Sequence, residues 1–494
     1  MSGYLALVLA LAGTIFLLRR DARVQPELTA AIWIPLTWIT VTGSRLPSEW
    51  FGGYVSYGTA TFESGNVLDR NLFTALLIAG LWVLVSRRAR IGEVVRSNRW
   101  LTLYFVYAFI AITWSDYPLV ASRRWVKAIG EPIMVLVLLT EARPTEAISA
   151  VWRRCAFILI PLSLVFIRYF PALGRMFSDF DGMALNIGVT LNKNSLGYLC
   201  AATGLFLFGH LLKTYWLPKS PTRRMELLVT GGMFALTCWV LWDAKSSTSL
   251  AALLVGSFTV VLVRSPIVNK RFVGAYVLGG ITVLAVAAVF FDLFSVIVNM
   301  LGRESTLTGR TELWPLLLSM DFNPIFGTGY ESFWLGQRLL YVWDIYGIKL
   351  QEAHNGYLEV YLHLGLVGLF LLIGMIFVAF RRACAELMGD LDWGCLRLGI
   401  LFAIVVFNWT EAGFRPLHLF GFAFYCILVA YPSRSAAGLR ASASAVTSTQ
   451  STSGRRYVRQ AWNGKAARTR ATSARLPNPK GAFATTHQRG SDTP

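Results

Sequence analysis

Residues 351–370 read QEAHNGYLEVYLHLGLVGLF. Charged and polar side chains at Gln351 to Asn355 give way to an apolar segment that carries no formal charge beyond Glu359 and runs on to residue 380. About 20 apolar residues cross a hydrocarbon core of about 30 Å as a helix, because lipid offers the backbone no hydrogen-bond partner. The pattern recurs along the 494-residue chain, with candidate spans at 3–18, 28–43, 70–86, 100–114, 126–140, 152–170, 194–212, 226–243, 247–263, 272–300, 355–380, 395–411 and 416–431. A mean hydropathy of +0.53, with 17 Trp and 32 Phe, excludes a single soluble core. The expected fold is all-α: a polytopic integral membrane protein of 12 or 13 transmembrane helices. Ten spans fill residues 1–300, a lid loop 301–355, three spans 356–431, and a disordered basic cytoplasmic tail 432–494.

Basic residues orient the chain. The loops at 19–27, 87–99, 141–154, 213–225, 264–271 and 381–397 hold 21 Lys and Arg and alternate with more sparsely basic loops, which places them in the cytoplasm. The tail carries 11 basic residues against one acid, Asp492, so most of its charge, and much of the chain's net +19, suits anionic lipid and requires no nucleic acid. All six cysteines fall in proposed helices or on the cytoplasmic side without a CxxC pair, so neither a disulfide framework nor a thiolate metal site is implied. Residues 1–20 lack a basic leader region and a small-residue cleavage pattern, and read as a retained first helix.

The chemistry is expected on the outer face. The loop from Leu301 to Asn355 is rich in Trp, Tyr, Phe and Leu, so it reads as folded, with short amphipathic helices at Arg310–Met320 and Ser332–Val342. The turn between them, Asn323 to Gly329, holds the Pro and Gly that let backbone approach a ligand closely. Basic residues kept on this face work against the topology signal: Arg123, Arg124, Arg175, Lys193, Lys245, Arg303, Arg310, Arg338, Lys349 and Arg415. Singly, each is explained as a snorkelling anchor or an ion pair, such as Arg303 with Glu304 or Arg415 with Glu411. Together, facing one cavity, they would bind a diphosphate, which the planar arginine fork matches. His354 at the foot of its helix is either an interfacial residue or, with Glu352 and Asn355 beside it, a proton acceptor or phosphate ligand. His363, deeper in the same helix, reads as a packing contact, and His210 and His418 as interfacial residues. Glu131, Asp292 and Glu359 are the acids nearest the membrane, too few and too scattered for an ion relay, and each needs a partner. Asp179-Phe180-Asp181 resembles a short metal-binding carboxylate pair, but no nucleotide-binding fold accompanies it.

Several of these residues carry a family resemblance. Gly309-Arg310 with Trp314, Asn323-Pro324 with Gly327 and Gly329, His354-Asn355-Gly356-Tyr357-Leu358 and Gly365-Leu366-Val367-Gly368 resemble the O-antigen ligase and polysaccharide polymerase-like superfamily. Trp114 to Pro118 with Ser122-Arg123-Arg124, Lys193 to Gly197, and Asn408-Trp409-Thr410-Glu411 are similar to segments of its exopolysaccharide polymerase branch. The resemblance spans residues 110–430 and leaves the tail without a counterpart. It implies a lipid-carrier-type (GT-C-like) glycosyltransferase with a helical periplasmic lid, metal-independent and inverting, that needs no cofactor. The enzyme would join undecaprenyl-diphosphate-linked oligosaccharide repeats at the periplasmic face of the bacterial inner membrane.

The implied catalytic residues are His354 and Arg310, with Lys245, Arg124, Arg303, Lys193, Asn355 and Glu411 binding the diphosphate or substrate. Where the family has a second arginine this chain has Ser247, and Lys245, two residues earlier, supplies a charge without the bidentate fork. Trp314, Tyr330, Trp334 and Tyr341 are candidate sugar-stacking faces or interfacial anchors. The expected partners are the lipid-linked oligosaccharide, the bilayer, and chain-length regulator and export proteins. Two other readings stand beside the polymerase: a ligase moving finished glycan to a lipid or protein acceptor, and a transporter or flippase, which calls for inverted repeats and broken helices near the midplane.

Overall fold

Lipid makes every backbone amide find its partner within the protein, and the chain answers almost wholly with helices. The computed structural model describes residues 2–51, 65–177, 182–291, 310–347 and 349–432, and the backbone alone of Ile281, residues 284–291, Arg310 and Thr311. Within them the only strands are an antiparallel pair of three-residue segments, Arg175–Phe177 with Ala184–Asn186. The protein is an all-α polytopic membrane protein, and each of the thirteen candidate spans falls on a helix. Among the described residues, eight helices are long and apolar enough to cross unaided: Gly3–Val24, Val67–Ser86, Pro144–Tyr169, Lys193–Tyr215, Pro221–Asp243, Ser247–Arg264, Gly356–Glu386 and Leu391–Thr410. Ala30–Thr42, Arg99–Trp114 and Leu419–Leu428 are shorter apolar helices. Val273–Phe291 occupies the tenth candidate, and Pro118–Leu139 the fifth.

Two helices start earlier than their apolar runs because their charges are matched inside the bundle. Pro144–Tyr169 includes Arg153 and Arg154, which sequence alone assigns to a cytoplasmic loop; both bond to buried Asp21, at 2.7 Å each. Pro118–Leu139 includes Arg124, whose guanidinium donates to the Glu331 carbonyl at 2.7 Å. Elsewhere the ends follow capping chemistry: Asn192, Ser220, Asn355 and Asp390 each accept a first-turn amide with the side chain.

Small residues set the crossings. A Cβ on Gly256 would lie 2.9 Å from the Gly399 carbonyl oxygen, and one on Gly399 would lie 2.6 Å from that of Gly256, so the Ser247–Arg264 and Leu391–Thr410 helices touch backbone to backbone. Near one end of the bundle, Gly197 abuts Ser246 and Ser249, and Thr248 bonds to Thr410 at 2.9 Å. The beginnings of the Lys193–Tyr215 and Ser247–Arg264 helices therefore meet the close of Leu391–Thr410.

The lid helices form over Arg310–Ser319 and Gly336–Tyr346. Leu313, Leu317, Phe333, Trp334, Leu339 and Val342 pack with Ala353 and Leu362 into a core separate from that of the bundle. Gly365, at φ 62° and ψ −163°, interrupts the Gly356–Glu386 helix. The amides released there are taken by the turn between the lid helices: Leu366 N–H donates to the Pro324 carbonyl at 3.0 Å and Val367 N–H to that of Ile325 at 3.2 Å. The Tyr107 hydroxyl donates to the Leu364 carbonyl at 2.9 Å, and the Thr328 amide and hydroxyl both donate to that of Leu362 at 3.1 Å. The glycines of that turn thus serve close approach to a helix backbone: a Cβ on Gly327 would lie 2.4 Å from the His363 carbonyl carbon, and one on Gly365 would lie 2.2 Å from the Ile325 oxygen.

Because that φ/ψ region is essentially confined to glycine, Gly365→Ala should cost about 1–3 kcal/mol in backbone strain, with the clash in addition. The expected result is a lower melting temperature in detergent and faster proteolysis of residues 310–350, read by mass spectrometry; wild-type protection would show that the turn does not depend on this contact.

Candidate functional site

His354 lies where the lid returns to the bundle, in the left-handed region at φ 47°. Histidine tolerates that conformation better than most residues when local bonds hold it. Asn355 is the N-cap of the following helix, its side-chain oxygen accepting from the Tyr357 and Leu358 amides at 3.0 Å each, so the oxygen of this predicted binding residue is used in capping. On the other side Ala353 is held at both backbone groups. Its N–H donates to Glu359 Oε2 at 2.9 Å and its carbonyl accepts from Trp314 Nε1 at 2.9 Å.

The imidazole sits between two carboxylates. His354 Nδ1 is 3.2 Å from Glu411 Oε2 and 3.1 Å from Glu352 Oε1. Glu411 also accepts from Asn194 Nδ2 at 3.0 Å, and Glu352 from Arg415 at 2.7 Å. Arg415 is therefore paired with Glu352, which replaces the Glu411 partner considered from the sequence. Burial works against the Glu352 charge, but His354 and Arg415 more than offset it and hold the carboxyl below its ordinary value. Burial likewise disfavours the charge on Arg415, and Glu352, Glu359 and Glu331 outweigh it, so its pKa rises. His418 Nδ1 caps Phe420 N–H at 3.1 Å and its ring lies 4.2 Å from Tyr198, a structural role. His363 is a packing contact as expected, its Nδ1 accepting from Phe333 N–H at 3.2 Å. His210 bridges Arg153 and Glu226 among residues assigned to the cytoplasmic side.

The other predicted residues divide. Glu411 is at the centre of the cluster. Lys193 opens the helix whose second residue, Asn194, reaches Glu411. Lys245 is exposed at φ 51° immediately before Ser246, so it belongs to the same end of the bundle. Arg124 joins through Glu331, whose carboxylate acts on Arg415. Asp292, Arg303 and Glu304, with Asp179 to Asp181, lie outside the described residues. Arg310 begins its helix exactly one turn before Trp314, which is bonded to the residue next to His354.

Of the remaining outer cations, Arg338 pairs with Asp116, Arg175 donates to the Ile167 carbonyl at 3.0 Å, and Lys349 lies over Trp343. Trp334 and Tyr330 are buried in the protein and cannot present stacking faces; Tyr341 is exposed, and Trp314 is half-buried. Asn194, the Glu352–Arg415 pair and the Trp314 bond were missed from the sequence. Arg415 had stood out as an outer-face cation, but its partner is 63 residues away.

Glu352, His354 and Glu411 also offer a one-histidine, two-carboxylate donor set, with ligand atoms within 4.8 Å of one another. Each carboxylate is already shared, with Arg415 and Asn194 respectively. As it stands, the arrangement can orient an imidazole and stabilise positive charge on it.

Residues 231–373, which include Lys245, Arg310, His354 and Gly365, match the O-antigen ligase family. Over 333 residues the chain is 26% identical to the exopolysaccharide production protein ExoQ of Rhizobium meliloti (strain 1021), covering 63% of this chain and 71% of that protein.

The Glu352 shift sets a pH dependence. Because the folded carboxyl titrates below its ordinary value of 4.5, its contribution to stability is complete above that value and is lost as pH falls through the lowered folded pKa. The difference in melting temperature between wild type and Glu352→Gln should therefore be largest near neutrality and shrink in acid; a difference independent of pH would contradict the pairing.

Proposed function

We propose that the protein is a bacterial exopolysaccharide polymerase that joins undecaprenyl-diphosphate-linked oligosaccharide units at the periplasmic face of the inner membrane. The observation that carries this reading is the placement of His354 Nδ1 against Glu411 and Glu352, beside the lid helix that begins at Arg310. The matches to the O-antigen ligase family and to an exopolysaccharide production protein support the substrate class.

In the proposed reaction the acceptor hydroxyl attacks the anomeric carbon of the donor sugar. The new carbon–oxygen bond forms as the bond to the diphosphate breaks, and the diphosphate leaves with the electron pair. Direct displacement inverts the anomeric configuration. His354 Nε2 takes the hydroxyl proton while Glu411, steadied by Asn194, holds Nδ1–H and stabilises the imidazolium. Arg310, with Lys245, Arg124, Arg303 and Lys193, would neutralise the departing diphosphate, which needs charge compensation more than a proton. Chain-length regulator and export proteins would act on the product.

The test is glycan size in cells. With membrane insertion preserved, His354→Ala and Arg310→Ala strains should accumulate short lipid-linked units and no long polymer; normal chain length in both removes the proposed site. The family match favours a ligase as the second reading. Full-length unattached polymer in a deletion strain would select that reading over the polymerase. For the metal-independent mechanism, a chelator should leave purified enzyme fully active; activity lost to chelation and restored by a divalent cation would assign Glu352, His354 and Glu411 to a metal instead.

A further inference from the structure

Glu359 lies one turn into the helix that follows His354, and its carboxylate is buried to 3% exposure. Oε1 accepts from Trp334 Nε1 at 2.7 Å, and Oε2 from Ala353 N–H at 2.9 Å. His363 Nδ1 accepts from the Phe333 amide, and its Nε2 lies 3.5 Å from Oε1 without a hydrogen bond to it. Arg415 Nε stands 3.9 Å from the same oxygen. A carboxylate is the side chain that suits such a site, since both its oxygens accept and neither donates.

The two donors come from different places, Trp334 from the lid and Ala353 from the residue before His354, while His363 of the same helix and Arg415 of the loop that follows Glu411 stand near. On the far side of the Ala353 peptide, Trp314 of the first lid helix holds the carbonyl. The left-handed turn at His354 is therefore fixed from both backbone groups of its neighbour, by one residue of the lid and one of the membrane helix.

We propose that Glu359 is a positioning residue for His354: with Trp314 it clamps the Ala353 peptide and so sets the imidazole between Glu411 and Glu352 in the orientation that accepts the proton. The inference rests on the proposed role of His354. It makes the buried acid part of the catalytic geometry, beyond its part in packing the lid. Misplacement of a base by about 1 Å can cost up to about a hundredfold in rate.

The experiment uses the full-length protein in nanodiscs, assayed for elongation of the lipid-linked oligosaccharide that accumulates in the deletion strain, with rates expressed per folded protein. In Glu359→Gln, whichever way the amide lies, its NH2 opposes a donor. The expected result is kcat lower by about tenfold or more, with KM for the lipid-linked substrate within about threefold of wild type. Trp314→Phe, which releases the Ala353 carbonyl, should also lower kcat.

Wild-type kcat in both Glu359→Gln and Trp314→Phe would overturn the inference. His354→Ala in the same assay separates the two claims. If it is inactive while the clamp variants are normal, only this inference falls; if His354→Ala is itself normal, the site reading falls with it.

Discussion

A helix broken inside a membrane protein leaves amides and carbonyls that lipid cannot satisfy, and the break at Gly365 is where this protein meets that constraint. The amides of Leu366 and Val367 are taken by carbonyls of the lid turn, and Tyr107 takes the carbonyl of Leu364. The lid is thus built into the membrane helix through the backbone. The part of that helix from Gly356 to Leu364 is bonded to the lid through Thr328, Phe333 and Trp334. His354 stands at the head of this segment, so the histidine is carried by the lid and the first turns of the helix together.

The cluster is consequently divided between two parts of the chain. His354, Glu352 and Glu359 belong to the lid and its half-helix; Glu411, Arg415 and Asn194 belong to the bundle. The bonds His354–Glu411 and Glu352–Arg415 join them, and Asn194 steadies Glu411 from within the bundle. A broken helix is also a feature of transporters, where it opens toward a substrate cavity near the midplane. Here the break is filled by protein backbone, and the polar residues that surround it belong to the lid contact, which favours a site at the bundle's end.

Much of this was legible in the sequence. Apolar run length marks a helix that must satisfy its own backbone in lipid, and among the described residues each of the thirteen runs falls at least in part on a helix. The two lid helices were visible as amphipathic stretches within a residue or a few of their observed bounds. His354 stood out because a titratable ring at the foot of an apolar segment, after an aromatic and basic loop, is an unusual conjunction. The readings that failed had a common cause. Arg153 and Arg154 looked like loop charges until Asp21, 132 and 133 residues distant, was found beside them. The lid-turn glycines looked ready for a ligand, yet the backbone they approach is that of another helix. Trp334 and Tyr330 looked like sugar platforms, and packing buried both.

By itself the sequence determined the class of fold, where its apolar helices lie along the chain, and which few polar residues stand at the ends of those helices. It could do so because those properties depend on local apolar length and on charge at segment ends, both of which are read residue by residue. Tertiary structure decided the partners: Glu352 with Arg415, Glu411 with His354 and Asn194, and Glu359 with the amide of Ala353. A carboxylate's role depends on which donors reach its two oxygens, and here most of those donors are brought in from helices and loops far away along the chain.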